Sequence, residues 1–179
     1  MGRYCDGDAS AFHALYAAVA PRLLGYLVGL VGERAAAEDL LQQTFMKVHE
    51  ARDVYVRGAD PVPWLYTIAH RTCLDELRRR KRSRVKLTTD GDTPVEERAD
   101  LSGAREGSAP TEGDGLSQKT LQALEQLPQN QREALILTKV HGRSHREAAA
   151  ITGTTPGAIK LRAHRAYVAL RHLLGEREP

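Results

Sequence analysis

Residues 144–171 read SHREAAAITGTTPGAIKLRAHRAYVALR. Ser144 stands three residues before Glu147, the spacing at which a serine caps a helix and the glutamate reaches back to the capping residue's amide. Gly153 closes that short helix. Thr154 or Thr155 caps the next one, with Pro156 in its first turn, where a missing N–H costs nothing. Two short helices joined by a tight glycine turn form a helix-turn-helix, whose second helix enters the DNA major groove by its N-terminal end. A wheel at ~100° per residue tests this for the last helix. Ile159, Ala163, Ala166, Leu170 and Leu173 fall on one side, as a core stripe. Gly157, Lys160, Leu161, His164 and Arg165 fall on the other, with Arg162 on a flank where it can meet a phosphate. Small Gly157 and Ala158 permit close approach. Lys and Arg suit phosphates or guanine edges, and Leu161 suits a thymine methyl.

Outward from this motif the chain continues in helical periodicity. Leu121, Leu124 and Leu127 form one stripe. Pro128 opens a helix carrying Ala134, Leu135, Leu137 and Val140, which Gly142 ends. Nearer the N-terminus, Phe12, Leu15, Tyr16 and Val19 share a face. Pro21 is expected to open a second stretch with Leu23, Leu24, Leu27 and Leu30, ended by Gly32. A third helix is predicted over residues 35–52, burying Leu40, Leu41, Phe45 and Val48. After a loop with Gly58, Asp60, Pro61 and Pro63, a fourth runs from about Pro63 to Arg82, with Leu65, Ile68, Ala69, Cys73 and Leu77 inward. No strand-like alternation or internal repeat competes. The expected fold is all-α: two small helical domains, residues 1–86 and 117–179, joined by a flexible acidic linker, residues 87–116.

The net charge of +3 hides a pattern: +4 over residues 1–86, −6 over 87–116 and +5 over 117–179. The middle segment is rich in Gly, Pro, Ser, Thr and acids and lacks large apolar residues, so it cannot repay the entropy of ordering. Two basic blocks suggest polyanion partners. No run approaches ~18 uninterrupted apolar residues, so membrane insertion is not expected. The N-terminus, with Asp6 and Asp8, has no export pattern. Cys5 and Cys73 are the only cysteines, which fits a reducing cytoplasm rather than a disulfide framework.

The second basic feature is RTCLDELRRRKRSR, residues 71–84. Arg71 and Arg78 project away from the core stripe, and Arg78 to Arg84 form a dense cationic end. One or two cations would satisfy the helix dipole; a run this dense favours a polyanion. Tyr55, Trp64 and Tyr66 lie in or near the preceding loop, where aromatic rings can stack on unpaired bases; core packing is the competing account for Trp64.

Three stretches together carry a resemblance. AEDLLQQTFMKVHEAR (37–52) resembles the polymerase-binding helix of extracytoplasmic-function (ECF) sigma factors of the sigma-70 family. PVPWLYTIAHRTCLDELRRRKR (61–82) resembles their −10-element reader, and residues 124–171 their −35-reading domain. The resemblance covers both domains in order. It implies a transcription initiation factor without catalytic activity. Asp39, Gln42, Gln43, Met46 and His49 would dock on the clamp helices of the RNA polymerase β′ subunit. Tyr55, Trp64, Arg71, Arg78 and Arg79 would serve the −10 element. Thr155, Gly157, Lys160, Leu161, Arg162, His164 and Arg165 would read the −35 element, beside a contact with the β flap. An inhibitory anti-sigma protein is a further implied partner. Arg71, Leu161, Ala158 and Ala148 depart from the residues usual in the family, which leaves the promoter sequence open.

No cofactor or metal is expected. His141 and His145 have zinc-like spacing but straddle Gly142, and His70 with Cys73 lacks two further ligands. Ser144 and His145 are adjacent on a helix and do not face each other. The rival reading is a self-sufficient dimeric helix-turn-helix regulator, which needs a two-fold interface but not the basic fourth helix.

Overall fold

Asp8 starts the longest apolar stretch of the chain: its carboxylate accepts from the amides of Ser10 and Ala11, satisfying N–H groups that have no partner inside the helix. In a computed structural model that describes residues 1–88 and 117–175, the helix so capped runs unbroken as α2 (Ala9–Val31) behind a short α1 (Gly2–Cys5). The expected break at Pro21 does not occur, and Pro21 sits inside α2. An interior proline costs a helix about 3 kcal/mol. Here Leu15 and Val19 before it and Leu23, Tyr26 and Leu27 after it enter the same core, and that burial on both sides offsets the cost of a continuous helix. Gly32, in the left-handed region at φ 74°, ends the helix.

The order continues with α3 (Arg34–Glu50), a single 3₁₀ turn at Arg52–Val54, and α4 (Pro61–Thr88), which runs six residues beyond its expected end. Helices α2, α3 and α4 pack on one another, around Leu40, Phe45, Val48, Leu65 and Ala69. The flexibility expected of residues 87–116 falls, from 89 onward, outside the described residues. The C-terminal domain holds α5 (Gln118–Glu125), α6 (Gln129–Leu135), α7 (His145–Thr152) and α8 (Pro156–Leu174). Where one helix was expected as far as Val140, α6 widens into a π turn over Ile136–Val140. Helix α8 packs on α5, α6 and α7, with Ile159, Ala163 and Ala166 buried; Leu170 is half-buried, and Leu173, expected inside, is exposed. Among the described residues there is no strand.

The two domains touch. Helix α4 lies against α7, and α2 against α5, α6 and the π turn. By length and composition α2 could also cross a membrane, which corrects the expectation that no such segment exists; yet 56% of the relevant window is buried within the protein, as in any core helix of a bundle.

Leu40→Ala, which empties a side chain 1% exposed, is expected to cost about 2–5 kcal/mol. Leu161→Ala, at 50% exposure, should stay within about 0.5 kcal/mol. Urea unfolding of the two variants beside the parent chain measures both.

Candidate nucleic-acid interface

The turn between α7 and α8 is fixed by side-chain caps. Ser144 Oγ accepts from the Glu147 amide at 3.2 Å and the Glu147 carboxylate accepts from the Ser144 amide at 2.8 Å, completing the capping box. These bonds hold the Glu147 carboxyl below its usual range. Gly153 takes φ 68° and closes α7. Thr155, rather than Thr154, caps α8, its Oγ1 accepting from the Ala158 amide, with Pro156 in the first turn. Buried Ala148, Ala149, Ala163 and Ala166 are small enough to let the two helix backbones approach.

This frame leaves Thr155, Gly157, Lys160, Leu161, His164 and Arg165 exposed on one side of α8. A side chain at Gly157 would meet nothing within 4 Å, so the space there is open to a ligand. Arg162 is half-buried, and its charge reaches buried Glu133. Its phosphate role therefore competes with an internal partner. His164 and Arg165 border a groove of about 660 Å³ shared with Gln126, Pro128 and Val168. The exposed side chains of Tyr167, Val168 and Leu173 extend this apolar surface along α8.

The basic end of α4 is partly neutralised by two acids that the sequence reading left out. Glu76 accepts from Arg79 and Arg80 at 2.7 and 2.8 Å, and Asp75 lies 3.7 Å from Arg78. The hydrogen bond from Arg79 is the first cause holding the Glu76 carboxyl below its usual range. The arginines of these pairs are exposed, so water and salt screen the attraction and a phosphate can displace it. Arg71, Arg78 and Arg79 are exposed.

The aromatic residues divide differently from expectation. Tyr66 is fully buried and Tyr55 is 7% exposed, its hydroxyl donating to the Ala59 carbonyl. Neither presents a stacking face as it stands. Trp64 is half-buried, edge-on to Tyr55 with ring centroids 5.3 Å apart. The loop instead exposes Val54 and Val56 at 75% and 73%. The signal was legible: a Val-Tyr-Val alternation between polar residues places the tyrosine inward and both valines outward. The loop is tied down by Arg57 to Asp6 at 2.6 Å and by Asp60 accepting from the Val62 amide.

Asp39, Gln42, Gln43, Met46 and His49 are all exposed on α3. Gln42, Met46 and His49 border a groove of about 790 Å³ whose floor includes Phe12, Tyr16 and Phe45. His49 is held on both sides: Arg52 donates to Nε2 at 2.7 Å, and Nδ1 lies 2.7 Å from the Tyr4 hydroxyl. The histidines weighed as metal ligands have other partners, His70 bonding Tyr26 and His141 bonding Tyr66, each at 3.0 Å.

The Ser144→Ala and Thr155→Ala changes should each cost about 1 kcal/mol by removing a cap. Hydrogen exchange should localise the losses to the Glu147 amide in the first variant and the Ala158 amide in the second.

The pattern of sigma-70 region 2 matches residues 15–83, and that of sigma-70 region 4 matches residues 117–170. The chain is 42% identical over 179 residues to the RNA polymerase sigma factor CarQ of Myxococcus xanthus, covering 99% of this chain and 97% of that one. It is 35% identical to the ECF RNA polymerase sigma factor EcfG of Rhodopseudomonas palustris, over 88% of this chain and 81% of that one. In fold it is similar to the sigma factor RpoE of Bartonella quintana, crystallised in complex with the anti-sigma factor NepR. The TM-score is 0.74 at 30% identity, covering 95% of this chain and 100% of that one. These likenesses span both domains and favour an initiation factor over a dimeric regulator. With region 2 and region 4 matched in order along the chain, the chain belongs to the sigma-70 family as an RNA polymerase sigma factor of the ECF type.

Proposed function

We propose that the chain joins core RNA polymerase in the cytoplasm and directs it to a two-element promoter, residues 1–86 and 117–179 acting as the two working domains and 87–116 as the acidic link. The observation that carries the division of labour is the placement of three exposed residue sets on three different helices. On α3, Asp39, Gln42, Gln43, Met46 and His49 form a polar surface with one large apolar contact, Met46, 64% exposed. This suits docking on the β′ clamp helices. On α4 and its loop, Arg71, Arg78 and Arg79 track the strand backbone. Trp64, with Tyr55 behind it, backs an extruded −10 base, whose unstacking costs a few kcal/mol. Val54 and Val56 join this set as apolar contacts.

On α8, Lys160 and Arg165 supply phosphate or guanine contacts, His164 and Thr155 polar ones, and Leu161 a surface for a thymine methyl. Gly157 gives close approach, and Arg162 holds the edge. The groove beside His164 and Arg165 would face the β flap. None of this requires a catalytic group or a cofactor: the chain would position and open DNA while the polymerase does the chemistry. An anti-sigma protein, such as the one bound to the similar RpoE, would regulate it by covering the α3 or α8 surface.

In vitro transcription with core polymerase and a genomic promoter library tests the reading. New start sites sharing spaced −35 and −10 elements are expected only when the protein is added. Duplex binding by the protein alone, with no polymerase-dependent starts, would replace it. Met46→Asp should abolish core binding while leaving the −35 interaction intact. Replacing Lys160 or Arg165 by Ala should lower the salt slope of log affinity by about 1 if the residue holds a phosphate, and relax base preference if it holds a guanine.

A further inference from the structure

The seam between the two domains adds directional polar bonds to an apolar cluster that runs through both. Gly29 of α2 backs directly onto Ile136 of the π turn; a Cβ at Gly29 would stand 2.9 Å from Ile136 Cδ1. Arg132, at the C-terminal end of α6, donates across the seam to the Leu30 carbonyl at 2.8 Å. Tyr66 of α4 and His141, just past the π turn, are hydrogen-bonded at 3.0 Å. Tyr26 of α2 meets the His141 ring edge-on at 5.8 Å, and the Arg143 guanidinium lies 5.4 Å over the Tyr66 ring. The joint thus combines apolar packing, continuous with the buried cluster of both halves, with directional polar bonds that a change of charge can break, and contacts between domains of one chain separate more readily than a core.

Separation is also what the proposed function demands, and this part of the inference rests on that reading. Elements named −10 and −35 are centred about 25 base pairs apart, about 85 Å along a duplex at ~3.4 Å per pair. Helix α4, 28 residues long, is about 42 Å end to end, and α7 touches it. The closed arrangement cannot place α4 and α8 on both elements at once.

We propose that the seam is a proton-sensitive latch with His141 as its pin, so that the free chain is closed near neutrality and its domains separate in mild acid. The groups facing the His141 ring are Tyr66 from α4, Tyr26 and Arg22 from α2, and Arg143 from its own turn. Arg143 in turn donates to Glu147 of α7 at 3.4 Å. The ring's other nitrogen, Nε2, is buried and has no hydrogen-bond partner among the described residues. Protonation makes both ring nitrogens donors, so Nδ1 can no longer accept from the Tyr66 hydroxyl and Nε2–H has no acceptor, and it adds a positive charge close to the Arg143 and Arg22 guanidiniums.

Burial first, then Arg143 and Arg22, holds the His141 imidazole down to about 4, against an ordinary value of 6.5 once exposed. The closed state is therefore undisturbed above the exposed value. It loses ground as the pH falls from 6.5 towards 4, because the open state binds the proton more tightly. Between pH 7.5 and 5.5 the open-to-closed ratio should rise about tenfold. His70 is also held down to about 4, by burial, Arg71 and Arg78. It bonds Tyr26 inside the N-terminal domain, so its protonation strains that domain rather than the seam.

Cys73 reports on the opening. It is fully buried on α4, and Glu133 and Arg132 of the other domain are among the charges acting on it. The experiment uses the full chain carrying Cys5→Ser, with no polymerase or DNA, so its outcome is independent of the transcription assay. Cys73 is labelled with a dithiodipyridine, which reacts in acid, and each rate is divided by that of the urea-unfolded chain at the same pH. The relative rate should rise about tenfold from pH 7.5 to 5.5, with helical circular dichroism unchanged. It should stay flat in His141→Asn, which keeps a polar group near Nδ1 but cannot titrate. Gly29→Leu, which wedges the seam apart, should label fast at both pH values. No rise with pH, an equal rise in His141→Asn, slow labelling of Gly29→Leu, or a rise that tracks loss of helix would each overturn the proposal.

Discussion

A single guanidinium organises the contact between the halves of this protein. Arg132 is 5% exposed and spends its terminal nitrogens on three backbone carbonyls: Leu30 near the end of α2, and Glu125 and Leu127 at the end of α5. Carbonyls in the last turn of a helix have no partner within it and carry the negative end of the helix dipole. A cation placed between two such ends answers both. Burial pulls the guanidinium down from its ordinary range, and the nearby acids Glu125 and Glu133 act in the opposite sense. An arginine keeps its charge under such conditions, whereas a lysine would shed its proton more readily. Breaking a buried charged arrangement by removing one partner typically costs about 3–5 kcal/mol. The angle at which α6 leaves the α5 turn, and hence the position of α7 and α8 relative to α2, is set at this point.

The elements proposed to face DNA follow the opposite rule, with their internal bonds kept weak or local. The caps at Ser144 and Thr155 involve only neighbours in sequence. They shape the helix-turn-helix without engaging Lys160, Leu161 or Arg165. On α4, the ion pairs of Glu76 with Arg79 and Arg80 are short, but both arginines are exposed, so water and salt screen the pairs. Such acids limit self-repulsion within the cationic run while the surface is empty. Arg162 departs from this rule: it is half-buried, and its charge favours the ionised form of buried Glu133.

How much of this could be read from the chain depended on whether the deciding interaction was local. Ser144, Glu147, Gly153 and Pro156 are within reach of one another in sequence, and the helix-turn-helix they imply matches the structure nearly to the residue. Periodicity also found the exposed face of α3, because partners on a helix wheel need no knowledge of the fold. Pro21 misled because its local cost is outweighed by burial on both sides of it, a tertiary effect. Tyr66 was taken for a loop aromatic because its partners, Tyr26 and His141, lie 40 and 75 residues away. Arg132 looked like any surface arginine on an amphipathic helix; nothing local distinguishes a guanidinium that reaches back 102 residues to Leu30. Leu173 fell on the apolar side of the wheel but lies in the last turn of α8, where it is 38% exposed.

Helix α4 joins the two kinds of surface, and its geometry decides what a closed chain can and cannot do. Tyr66, which bonds His141 of the other domain, and buried Cys73 are seven residues apart and so share one side of α4. Arg71 and Arg78 lie roughly 120–140° around the helix from Tyr66, and both are exposed. The seam therefore does not cover the basic face. A closed chain can still meet a strand with α4, or a duplex with α8, one at a time and by weak contacts. What closure withholds is the pair of contacts at the required separation. Joined sites gain affinity over single ones only when the geometry allows both to be engaged together, and lose the whole gain when it does not. The close fit of Gly29 on Ile136 and the two polar bonds across the seam thus fix the separation of α4 and α8 without covering the residues proposed to meet DNA.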